Sequence, residues 1–178
     1  MLALVVALLC APPAGRLLDV REGALSYRLV HKLHEVQGTT HQVEGRALIR
    51  PDGSAIVQVR AKLASFDSGN ANRDQHMREV THEATHPYAS LKARVPAVRL
   101  PLPAPVEVTL QATVELNGVR QPASIPARLA PEGTALRATF SFPVSLDSFQ
   151  VERPRLLLVA VEDRVVIDGT LLFAEAPE

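Results

Sequence analysis

Apolar and polar residues alternate with a period of two along most of this chain. Between Val106 and Leu116 the even positions are Val106, Val108, Leu110, Ala112, Val114 and Leu116, and the odd ones are Glu107, Thr109, Gln111, Thr113 and Glu115. A helix would scatter those apolar side chains around its circumference, whereas a strand sets all six on one face. Asn117-Gly118 follows at once, and that dipeptide tolerates the positive φ angles of a tight hairpin. Residues 119–129 are therefore the expected returning strand, made irregular or placed at an edge by Pro122 and Pro126. In residues 136–146, Leu136, Ala138, Phe140, Phe142, Val144 and Leu146 alternate with polar residues and Pro143. Val57, Val59, Ala61 and Leu63 do the same after the turn signal Pro51-Asp52-Gly53. Leu25, Tyr27, Leu29, His31 and Leu33 make one face of an early strand, and shorter runs occupy residues 43–50, 88–98 and 164–173.

Eight runs with one apolar face each pose a burial problem, because only one helix is visible to cover them. Residues 71–80 lack the period of two; Asn70 is positioned to cap a helix there, with Asp74 and Glu79 on its polar face. Curling the sheet so that its apolar face lines an interior buries that face and removes open edges. A two-sheet sandwich is the alternative; the expected fold is all-β, an eight-stranded antiparallel barrel with one short helix at 71–80.

The chain start changes the picture next. Residues 2–9 are an unbroken apolar run, followed by Ala11, Pro12, Pro13, Ala14 and Gly15. This is long enough for the apolar region of a signal peptide and too short to span a bilayer. No Lys or Arg precedes it. Residues 1–15 are thus the expected export signal and 16–178 the folded domain, placing the protein in the periplasm or outside the cell. Cys10 invites lipid attachment, but Leu9 is not the small residue such sites prefer, so anchoring there is not expected.

Charge and composition exclude several partners. Nineteen basic and nineteen acidic residues balance, and aromatic residues are 4% with no Trp. Nucleic acid is therefore not an expected partner, since phosphates need a basic surplus and single strands need stacking rings. No integral membrane span is expected either. The histidines fall in two groups, His31, His34 and His41, then His76, His82 and His86. Residues three apart on an extended strand face opposite sides, so His31 and His34 share no ion unless the strand bends between them; with no Cys partner or zinc-type spacing, packing is the favoured role and no metal is expected. No Gly-x-Ser-x-Gly elbow or phosphate loop occurs, and no catalytic residue is assigned. Inward Val, Ala and Leu of modest volume, with no Trp to plug the centre, favour a cavity over a filled core. No cofactor is expected beyond a bound lipid. The candidate contacts are Leu25, Tyr27, Leu29, Leu33, Val57, Val59, Leu63, Val108, Leu110, Val114, Leu136, Phe140, Phe142 and Leu146.

Four stretches resemble the YceI-like family of exported lipid-binding proteins. They are residues 27–31 leading to Val43-Glu44-Gly45-Arg46; Ser65-Phe66-Asp67-Ser68-Gly69-Asn70 with residues 72–78 and Pro87-Tyr88; residues 114–122; and residues 140–149 with Pro154. The resemblance implies a lipocalin-like barrel holding a polyisoprenoid or quinone-type lipid, for carriage or storage in the cell envelope, without enzymatic activity. It also implies that Asp67, Arg73, Asp74 and His76 order the helix and loop at the barrel mouth. Two readings of another class stay open beside it: a histidine-dependent metal-binding or catalytic domain, and a structural envelope module with a filled core. The oligomeric state is open, a dimer included.

Overall fold

The computed structural model describes residues 15–31, 34–98, 100–153, 155–156, 159–160 and 162–175. Its strands are β1 (Arg16–His31), β2 (His34–Thr40), β3 (Val43–Ile49), β4 (Ala55–Lys62), β5 (Tyr88–Val95), β6 (Val106–Leu116), β7 (Val119–Glu132), β8 (Ala135–Ser145), β9 (Arg155–Leu156), β10 (Val159–Ala160) and β11 (Arg164–Glu175). The helix α1 spans Ala71–Val80, the bounds that the loss of alternation and the Asn70 cap predict. Antiparallel neighbours run in order from β3 to β8 and on to β11, and β11 pairs back onto β1 to close the wall.

Strands β2 and β3 behave as one interrupted strand. Both pair with the same edge of β1, Leu25 opposite Thr40 and Asp19 opposite Arg46, the two pairs standing six positions apart on either chain segment. The result is a closed eight-stranded antiparallel barrel with one short helix, a lipocalin-like fold.

Two parts of this wall escape the sequence pattern for one reason. The β1–β11 register shifts between Val20 and Glu22. A bulge adds an unpaired residue and turns the following side chains over. Leu18 is therefore buried at an even position, while Tyr27 and Leu29 reach the interior at odd positions. The opposing segment changes phase too, from Val36, Gly38 and Thr40 inward to Ala47 and Ile49 inward. Neither half shows an unbroken alternation, so the first half of β1 and all of β2 are absent from the expectation. The pairing of β1 with β2 also sets His31 opposite His34, the case in which the sequence argument against a shared ion does not apply.

Pro122 and Pro126 sit in a strand with neighbours on both sides. Yet β7 pairs with β8 only from Ala127 to Glu132, whereas it pairs with β6 over its length from Val119 to Leu129. The prolines therefore lie where β7 has a single ladder, which is where a missing N–H costs least. The gap is filled by the segment after β8, where a turn of 3-10 helix at Asp147–Phe149 buries Phe149 and then Val151.

Apart from the exposed neighbours Leu17 and Leu48, the outer wall is largely polar and carries paired charges. Arg60 meets Glu44 at 2.6 Å, Arg46 meets Asp19 at 2.9 Å and Arg120 meets Glu115 at 2.8 Å. A barrel that crosses a bilayer presents the reverse pattern, apolar outward. Among the described residues no helix is long and apolar enough to cross a membrane.

Candidate functional site

One end of the barrel is solid. Leu18, Ile49, Val95, Leu110, Ile125, Leu129, Leu171 and Phe173 form its sealed core, with Ala47, Ala93, Ala112 and Ala127 between them. Ile125 is wholly excluded from solvent. The other end, beneath α1, encloses a cavity of about 510 Å³, a size typical of small-molecule sites.

Strand side chains make the cavity walls: Leu25, Tyr27 and Leu29 from β1, Val59 from β4, Leu91 from β5, Val114 and Leu116 from β6, Phe140, Phe142 and Val144 from β8, and Ile167 from β11. Leu63, Phe66, Met77, Val80, Leu146, Phe149 and Val151 cover it. Polar lining comes from Asn72, Arg73 and His76 on α1 and from Glu152 beyond the Asp147–Phe149 turn, with Ser26, Arg60 and Ser90 on β1, β4 and β5. Asn72, His76 and Glu152 are also exposed, as is Arg60, and the opening lies among these residues.

Two aromatic rings are accommodated by glycines on the neighbouring strand. Tyr27 pairs with Gly38, where an added Cβ would stand 2.5 Å from the ring. Phe140 pairs with Gly169, where a Cβ would stand 2.1 Å from Cζ. In each case the ring occupies the place of the missing side chain. Phe140 and Phe142 lie 6.2 Å apart in a tilted arrangement, and Tyr27 lies 5.7 Å from Phe66, within the range where ring pairs attract.

A ten-residue helix is too short to persist alone, so contacts outside it must hold α1 in place. Asn70 Oδ1 accepts from Arg73 N at 3.1 Å, capping its start. Buried Asp74 accepts from Ser68 N at 3.1 Å and from the Ser68 hydroxyl. Arg73 donates to Ser68 Oγ at 2.9 Å and to Ser68 O at 2.6 Å. Asp67 exchanges backbone bonds with Thr39 and accepts from Gly69 N at 2.7 Å, tying the loop to β2. Burial and then the Asp74 charge hold the Tyr27 hydroxyl above its ordinary pKa, with Arg73 partly offsetting both.

A second network joins three loops at the open end. Asn117 is buried and sits at φ 53°, between His82 at 49° and Gln150 at 55°. Its Nδ2 donates to Phe149 O at 3.1 Å and to Gln150 O at 3.0 Å. That leaves Oδ1 to accept from His82 Nδ1 at 2.7 Å, so Nδ1 carries the proton. The ring of His86 lies against Gly118, 2.5 Å from where a Cβ would stand. The Asn-Gly pair thus serves the turn and also fastens the loop that follows α1 and the segment that fills the β7–β8 gap.

The structure brings nine of the sequence-derived contacts to the cavity: Leu25, Tyr27, Leu29, Val59, Leu63, Val114, Phe140, Phe142 and Leu146. Val57, Val108, Leu110 and Leu136 pack in or against the solid core instead, because the inward face runs the whole strand while the hollow takes half of it. Leu33 lies outside the described residues. Of the expected mouth residues, Arg73 and His76 line the cavity, whereas Asp67 and Asp74 stand behind it and hold the loop. His76 Nδ1 is 3.9 Å from Glu79 Oε2 on the same helix. Phe149 and Val151 belong to an irregular segment with no periodicity to reveal them. Leu91 and Ile167 were legible as members of recognised strands. Among the described residues no three His, Cys, Asp or Glu side chains converge as a metal site would require.

Comparison with known proteins gives one family and several structures. Solved structures of similar fold include a polyisoprenoid binding domain from Saccharophagus degradans implicated in plant cell wall breakdown. It has a TM-score of 0.72 and 20% identity, over 90% of this chain and 98% of that one. BcnA of Burkholderia cenocepacia matches with a TM-score of 0.71 and 15% identity, over 84% and 95% of the two chains. The YCEI protein of Campylobacter jejuni matches at 0.66 and 13%, over 84% and 90%. No curated protein sequence matches this chain. The model of the YceI-like domain matches residues 18–173, nearly the whole barrel from β1 to β11, and on that match this chain belongs to the YceI-like family.

Proposed function

We propose that this protein binds a long-chain apolar lipid of polyisoprenoid or quinone type in its barrel and carries or stores it in the cell envelope. The observation that carries this reading is the cavity itself, about 510 Å³, apolar along its walls and shut below by a sealed core. Each methylene buried there contributes about 0.8 kcal/mol, so a long chain gains affinity without any charged partner. The polar groups at the opening leave a place for a ligand's polar end near Asn72, His76 and Glu152. Family membership and the polyisoprenoid binding domain of similar fold support the same ligand class. The apolar run at residues 2–9 supports export.

Native mass spectrometry of the purified protein, before and after organic extraction, tests the reading. The expected result is a one-to-one lipid adduct that extraction removes and an added prenol restores. A bare mass throughout, with no uptake of added prenol by folded protein, overturns it.

A further inference from the structure

The cavity stops at the same place on strand after strand. In the β1–β11 ladder, Leu25 of β1 and Ile167 of β11 are the last lining residues, while Gly169 and the next inward pair, Gly23 and Leu171, do not line it. In β8–β11 the last pair that lines it on both strands is Phe142 with Ile167; next comes Phe140, which lines it over the bare backbone of Gly169, and then Ala138 with Leu171, which do not. Across the barrel, Leu91 and Val114 line it while Ala93 and Ala112 are sealed in the core.

This boundary carries mostly small or slender residues, and Phe140 is the exception. Its ring rests where Gly169 has no side chain, with Phe142 6.2 Å above it towards the opening. Below the ring, Leu171 is 2% exposed and belongs to the sealed core, and a second hollow shares Leu25, Ser26 and Phe140 with this one. Only glycine at 169 leaves the ring that place; any side chain there would displace it.

Resting on the lipid-binding reading, we propose that Phe140, seated on Gly169, is the stop that sets the longest chain this cavity accepts. A linear apolar chain entering between α1 and Glu152 runs down the lumen until its end meets the Phe140 ring. Selectivity among homologous lipids is then decided at the far end of the chain and not at its head.

The test offers the extracted protein an equimolar ladder of all-trans prenols of rising length and reads the retained species by native mass spectrometry. The unaltered protein is expected to show a sharp upper limit. Phe140→Leu is expected to raise that limit by roughly one isoprene unit by vacating ring volume, and Gly169→Ala to lower it by displacing the ring into the lumen. Leu136→Ala, in the solid end, serves as the control for lost stability and leaves the limit where it was. Should Gly169→Ala fail to fold, Val114→Phe narrows the same boundary from the opposite wall and lowers the limit instead. A common limit in the unaltered protein, in Phe140→Leu and in the narrowing variant overturns the stop while lipid binding stands. Retention of no prenol by the unaltered protein overturns both.

Discussion

Replacing Asn117 tests whether one buried amide holds the open end of the barrel together. Asn117→Ala removes the donor to Phe149 O and Gln150 O and the acceptor for His82. Leaving buried carbonyls unpaired costs about 1–3 kcal/mol each, the lower end applying to Gln150 O because its bond is only partly buried. Placing Ala at φ 53° adds about 1 kcal/mol. The expected loss is about 3–5 kcal/mol, read from the midpoint of urea unfolding at unchanged slope. Asn117→Gly separates the two causes, since glycine takes the positive φ freely and lacks only the amide. It should keep about 2–4 kcal/mol of the loss. If Asn117→Gly is as stable as the parent, the amide does not join the loops, and Asn117 serves the hairpin turn alone.

Asn70→Ala removes the cap of α1 and should cost about 1 kcal/mol; thermal unfolding measures it, and no change would mean that the Asp74 and Arg73 contacts hold the helix without the cap. Gly38→Ala places a Cβ 2.5 Å from the Tyr27 ring and should destabilise by about 1–3 kcal/mol, a loss that Tyr27→Leu in the same chain should partly relieve. Tyr27 should ionise above its ordinary value in the folded state, from burial and the Asp74 charge. The unfolded chain then loses this proton first. The stability that Tyr27 contributes is full below about pH 10 and declines as pH rises from there through the folded value. Phenolate absorbance in a Tyr88→Phe background measures the shift, and titration at or below the ordinary value contradicts it.

Much of the barrel was legible in residues that alternate without interruption, as in β6 and β8, where the inward face carries Val108, Val114, Phe140 and Phe142. Alternation reports which side of a sheet a residue faces and nothing about what lies beyond it. Val57 and Val59 share a face, yet one packs against the core and the other lines the cavity. The bulge after Val20 and the break between β2 and β3 reverse the phase within a few residues, so their alternation cancels over any longer stretch. The covering residues Phe149 and Val151 owe their position to Asn117, more than thirty positions away in sequence. No local pattern carries that contact. Sequence reveals only the backbone role of the Asn117-Gly118 turn, whereas the structure uses the Asn117 side chain as well.

The central claim is that the barrel's open half is a built cavity for an apolar chain. A diffraction map of the protein purified without organic solvent tests it most directly. The account predicts continuous elongated density from the opening at His76 and Glu152 down to the Phe140 ring, with Leu91, Val114 and Val144 ordered around it. A lumen filled by these side chains collapsed onto one another, or by a file of ordered water, would contradict it.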